Sequence, residues 1–201
     1  MLRTSFPVAV VATEATCEIQ FGHIRRPTHR NTLWDLAKYE ICAQKWIDLS
    51  DRGYGVALLN DCKYGHKARG NVLDINLLRS PSFPDPRADR AEHEFTYALF
   101  PHAGDHITGG VVRAGYELNV PLAVWTVEGR SEERPADLPA SAWLCRVDAP
   151  NVVVETVKKA EDSDDLILRL YEAHGASCRA TVVFGLPVRA VALVNLMEED
   201  P

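Results

Sequence analysis

Hydrophobic and polar positions alternate with period two along much of the chain. Cys17, Ile19, Phe21 and His23 alternate with Glu18, Gln20 and Gly22. Leu73, Ile75 and Leu77 alternate with Asp74, Asn76 and Leu78, and Phe95, Tyr97 and Leu99 with Glu94, Thr96 and Ala98. Successive side chains of a strand point to opposite faces, so each stretch predicts a strand with one packed face. Further strands are predicted over residues 54–59, 120–127, 142–147, 152–158, 166–172, 180–184 and 188–196, about ten in all.

Turn chemistry separates these runs. Asp51-Arg52-Gly53 precedes one strand, Gly65 and Gly70 bracket another connection, and Pro81, Pro84 and Pro86 punctuate a loop over residues 80–93. Asp148-Ala149-Pro150-Asn151 and His174-Gly175 mark two more turns. Glycine supplies positive φ, and proline fixes φ and removes a donor. The pattern predicts an all-β chain, an antiparallel β-sandwich or supersandwich occupying residues 1–201 as one domain. Residues 34–49 carry two readings. Leu33, Leu36, Ala37, Glu40, Ile41 and Gln44 make a helical face, while Tyr39, Ile41 and Ala43 fit a strand. The charged stretches 128–137 and 161–165 read as solvated connections.

Composition narrows the function classes. The 201 residues are 46% hydrophobic and 25% charged, enough apolar material for a substantial core. Lys and Arg number 22 against 28 Asp and Glu, a net charge of −6, with no basic stripe that would follow a phosphate backbone. This argues against a nucleic-acid partner. The apolar run over residues 6–12 is too short to span a bilayer, and no stretch approaches the roughly 18 apolar residues a membrane helix needs. The five cysteines are odd in number, widely spaced and without a CxxC pair, which points to a reducing compartment such as the cytoplasm.

Three polar blocks hold the candidate chemistry. The first, residues 25–35, gathers Arg26, His29, Asn31, Trp34 and Asp35; it reads either as a recognition loop with Trp34 as a stacking surface, or as a surface loop capped by Thr32 or Asp35. The second contains Asn60, Asp61, Tyr64 and His66. An Asn-Asp pair leaving a strand can bind sugar hydroxyls, or it can simply satisfy the backbone of a hairpin. The third carries Arg79 and Asp85 within a proline-stiffened excursion and continues to His93 and His102. It reads as a docking loop or as a rigid surface loop. His102 and His106 are four apart, but Pro101, Gly104, Gly109 and Gly110 argue against a helix there, so a metal site would need a folded loop around Asp105.

The blocks together resemble the C-terminal β-domain of glycoside hydrolase family 38, the retaining α-mannosidases. The resemblance is carried by Arg26-Pro27-Thr28-His29, Asn31-Thr32, Trp34-Asp35, residues 45–50, the long run 53–66, residues 77–81, Pro84-Asp85-Pro86, Ala88-Asp89, residues 93–99, Pro101-His102, and residues 157–162 and 168–172. It implies a galactose-mutarotase-like antiparallel sandwich, and it favours strand for residues 34–49. It also implies a parent enzyme that hydrolyses α-mannosides through a glycosyl-enzyme intermediate on an Asp, assisted by a divalent metal, zinc. Nucleophile and metal belong to an N-terminal catalytic domain that these residues do not include, so no catalytic residue and no cofactor are expected here. The resemblance further implies that the closing strands of the family's sheet are missing.

On this footing the three blocks are expected to cluster and face the catalytic domain, with Asp61, Tyr64 or His66 at the rim of the sugar site. A docking face left open would also favour a homodimer of the isolated chain. The alternatives are a free-standing carbohydrate-binding β-domain and an independent mutarotase-like enzyme using a His and a carboxylate.

Overall fold

The computed structural model describes residues 1–126 and 139–199. The chain divides into two compact units, residues 1–122 and 123–201.

The first unit contains β1 (Leu2–Pro7), β2 (Glu14–Ile19), β3 (Gly22–Pro27), α1 (Leu33–Ala37), β4 (Ile41–Cys42), β5 (Trp46–Ser50), β6 (Tyr54–Asn60), β7 (Gly65–Arg69), β8 (Val72–Leu78), β9 (Tyr97–Ala103) and α2 (Val111–Asn119). One sheet has the order β1-β8-β7-β4 and the other β3-β2-β5-β6-β9, with antiparallel pairing throughout. The alternation explains the packing. Cys17 pairs with Ile47, Ile47 with Leu58 and Leu49 with Val56, which puts one apolar row on one face of the second sheet. These residues meet Leu73, Ile75 and Leu77 of β8 in a single buried cluster. Two sheets sharing one apolar interior form a β-sandwich.

The opposite face of the second sheet is covered by α2. Val111, Val112 and Gly115 of this helix are buried. A Cβ at Gly115 would lie 2.8 Å from Trp46 Cδ1, so the glycine lets the helix backbone sit against the indole. At the helix end, Asn119 Nδ2 donates to the Asn60 carbonyl at 2.9 Å.

The second unit contains β10 (Cys145–Val147), β11 (Val152–Lys159), β12 (Leu166–Glu172) and β13 (Val182–Phe184). Strands β11 and β12 form one antiparallel pair, β10 and β13 another. Glu172 closes the turn after β12 by accepting backbone N–H bonds from His174, Gly175 and Ala176. No helix among the described residues is long and apolar enough to cross a membrane.

The antiparallel β-sandwich expectation holds, with local corrections. The run from Cys17 to His23 is two strands, because the chain turns at Gln20 and Phe21, where Phe21 has φ 55°. Residues 34–49 use both readings in succession: helix α1, then β4 and β5. Residues 120–126 and 188–196 form no strand despite their apolar content. Residue 127 and the charged stretch 128–137 lie outside the described residues.

Candidate functional site

The first block builds a pocket at one side of the sandwich, where β3 and β4 are the edge strands of their sheets. Thr28 anchors it: its N–H donates to the Thr13 carbonyl, its hydroxyl to the Ala12 carbonyl at 2.7 Å, and its carbonyl accepts from Gly70 N–H at 2.9 Å. Arg26, His29, Arg30, Lys38 and Lys67 line the pocket with Tyr39 and Asp35. The Arg30 guanidinium lies 5.8 Å and the Lys67 ammonium 5.1 Å from the Tyr39 ring centre, so two cations stand over one aromatic ring. The Asp35 carboxylate already accepts from Thr32 N–H at 3.1 Å and Thr32 Oγ at 2.9 Å, and His29 Nδ1 is 3.6 Å away. The Thr32 hydrogen bonds hold its pKa below the usual carboxylate value. Arg26, Arg30, Lys38 and Lys67 form no ion pair among the described residues.

Helix α1 rises beside this pocket. Thr32 and Asp35 make a reciprocal capping box, each side chain accepting from the other's backbone N–H. The helix buries no residue, and Leu33, Trp34 and Leu36 are 83%, 80% and 51% exposed. Asn31 is exposed just before it.

The second block lies at the opposite end of β7. Asn60 Oδ1 accepts from Cys62 N–H and from Lys63 N–H at 2.6 Å, while its Nδ2 donates to the Gln44 carbonyl at 2.8 Å. Asp61 accepts from Thr96 N–H at 2.9 Å. Burial opposes the shift, but hydrogen bonds from Cys62 and Thr96 hold the Asp61 pKa low. Tyr64 is exposed. His66 is fully buried, with Nε2 3.2 Å from the Lys63 carbonyl, and burial drives its pKa down to about 4.

The third block closes on itself. Ser80 N–H donates to Asp89 Oδ2, Arg87 N–H to Asp85 Oδ1, and His93 Nε2 lies 2.9 Å from the Asp89 carbonyl. Arg79 and Asp85 are exposed. The first two blocks both reach β7, where His66 of the second precedes Lys67 of the first block's pocket and pairs with Ile41 of its wall. The second is also joined through Asp61 to Thr96, in the segment between the third block and β9. Asn60, His66 and His102 are enclosed, so they brace the fold from within rather than line a surface.

A further network surrounds His102. Asp48 Oδ1 lies 2.8 Å from His102 Nε2, and Ser50 Oγ donates to Asp48 Oδ2 at 2.6 Å. Burial raises the Asp48 pKa, and the bonds from Ser50 and His102 oppose it. His106 stacks on Trp46 with ring centres 5.7 Å apart and meets His23 edge-on at 4.8 Å. The signal lay in the alternation itself: Trp46, Asp48 and Ser50 share one face of β5, so a carboxylate there had to face whatever covers the sheet. Among the described residues, no three His, Cys, Asp or Glu side chains are grouped to hold a metal ion, so these residues do not fit the zinc that the resemblance implies for its parent enzyme.

Residues 1–87 match the family model described as the glycosyl hydrolases family 38 C-terminal domain, and residues 151–201 match the glycosyl hydrolases family 38 C-terminal beta sandwich domain. The chain belongs to glycoside hydrolase family 38. It represents the C-terminal region of that family. It is 48% identical over 205 residues to human alpha-mannosidase 2C1, covering 100% of this chain and 19% of that protein. It is 37% identical over 206 residues to alpha-mannosidase G of Dictyostelium discoideum, covering 99% and 18%. The family 38 chain therefore spans under a fifth of the length of these relatives. A solved family 38 protein from Enterococcus faecalis superposes with a TM-score of 0.81 at 16% identity, covering 99% of this chain and 24% of that one. That likeness establishes the shared fold.

Proposed function

We propose that these residues serve as the non-catalytic C-terminal part of an α-mannosidase that hydrolyses α-mannosides with retention. The observation that carries the reading is the 48% identity to human alpha-mannosidase 2C1 across the whole chain. In this reading the nucleophilic Asp and a zinc ion belong to the remainder of the enzyme, and mannoside contact occurs through the assembled protein. The arrangement within the chain supports this division of labour. Asp48 and His102, which form a close acid–imidazole pair, are both buried, and the carboxylates of Asp35, Asp61 and Asp85 are each engaged by local backbone N–H groups. A carboxylate acting on a glycosidic bond needs a partner carboxylate at a set distance and an open approach to the sugar.

The same reading places the enzyme in the cytoplasm. All five cysteines are free thiols, a state maintained in reducing compartments. The test is to follow cleavage of an aryl α-mannoside by proton NMR, using a full-length family 38 polypeptide that carries these residues. The first-formed sugar should be the α-anomer. No cleavage, or initial release of the β-anomer, contradicts the proposal.

A further inference from the structure

The first block leaves a surface that its own unit does not use. We infer that α1 and the adjoining basic pocket dock the catalytic region of the family 38 polypeptide, with Trp34 entering an apolar hollow and partner carboxylates entering the pocket. This rests on the reading above that the chain is one part of a longer enzyme.

Three observations meet here. The first is α1 itself. A helix this short gains little from its own hydrogen bonds and ordinarily depends on burying an apolar face. This one buries nothing, yet its capping box holds it in shape with Leu33, Trp34 and Leu36 exposed. Leu33 and Leu36 are three apart and therefore neighbours on the helix surface. A preformed tryptophan beside leucines is the kind of anchor that dominates interface energy once water is excluded.

The second observation is charge. Arg26, Arg30, Lys38 and Lys67 line one pocket and form no ion pair among the described residues. Two of them stand over the Tyr39 ring, which positions their charge without neutralising it. The pocket's own acid, Asp35, is engaged by Thr32. Complementary carboxylates from a partner would supply the missing charge and fix the register of docking. The third observation is length. The chain covers 19% of human alpha-mannosidase 2C1, so the greater part of such a polypeptide is available as the partner. β4 pairs with β7 only at Gly65 and His66, which leaves Lys67 and Ala68 of the pocket wall open on that side.

Amide hydrogen exchange over residues 32–40 tests this. It is measured in the chain alone and in a full-length family 38 polypeptide carrying it, each as wild type, as Trp34→Ala and as Arg30→Glu with Lys67→Glu. Docking predicts at least about ten-fold slower exchange in the full-length protein. Both variants should return those rates to the values of the chain alone, and neither should change the unfolding midpoint of the chain alone. Equal rates in the two wild-type forms, or protection that survives both variants, would overturn the inference. So would protection in the chain alone that grows with concentration, because a second copy would then be the occupant. Cleavage of an α-mannoside is read in parallel. Protection without cleavage contradicts the proposed function and leaves the docking surface standing. Cleavage without protection contradicts the docking surface alone.

Discussion

His102 Nε2 lies 2.8 Å from Asp48 Oδ1, and the two side chains are buried on the face of the sheet that α2 covers. The pair links β9 to β5 across β6. Removing one partner leaves the other uncompensated in a dry site. His102→Ala should therefore destabilise the unit by about 3–5 kcal/mol, read by urea unfolding. A loss under about 1 kcal/mol would show that the pair contributes little.

The same imidazole dictates a glycine. A Cβ at Gly109 would sit 2.2 Å from His102 Nδ1, closer than any real contact. Gly109→Ala should cost about 1–3 kcal/mol in the wild type and much less in a His102→Ala background. Equal costs in both backgrounds would mean that the backbone around residue 109, not the ring, sets the penalty.

His66 makes stability depend on pH with a defined sign. Burial brings its pKa down to about 4 in the folded chain, against 6.5 in the unfolded one. Between these values the unfolded state binds more protons, so stability rises with pH. The contribution is fully present above about pH 6.5 and is lost as pH falls to about 4, a change on the order of 3 kcal/mol. Unfolding of a His66→Leu variant should show a flatter profile over this window. An unchanged slope would assign the acid sensitivity to other groups.

Asn60 and Asp61 separate structure from surface. Asn60 is buried and serves two backbone donors of the turn, Cys62 and Lys63, and one acceptor outside it, the Gln44 carbonyl. Asn60→Ala should cost about 2–3 kcal/mol because those groups lose their partners. Asp61 is exposed and accepts one N–H, so Asp61→Ala should cost under about 1 kcal/mol. Thermal melts of the two variants would check the ordering, and a larger loss from Asp61 would reverse it.

These cases show what the chain reveals before folding. The alternation of Leu73, Ile75 and Leu77 and the continuous apolar run of residues 54–59 are legible because packing fixes the faces of those strands. The alternation from Cys17 to His23 misleads, since a two-residue turn preserves parity and hides the reversal between β2 and β3. Residues 188–196 carry apolar side chains but gain no strand partner, and periodicity alone does not supply one. The capping box was readable as Thr32 and Asp35, three apart, ahead of apolar residues. The Asp48–His102 pair was not, because its members are 54 positions apart and only the sheet register unites them. The pocket needed Lys67 of β7 as well as the first block, a pairing that topology alone creates.

In the proposed function these residues contain no reaction centre of their own. The most direct measurement is turnover of an aryl α-mannoside by the purified 201-residue chain, with added zinc, beside a full-length family 38 polypeptide carrying the same residues. Turnover is expected from the full-length protein and none above buffer from the chain alone. Turnover by the chain alone that disappears in Asp61→Asn or Asp48→Asn would contradict it.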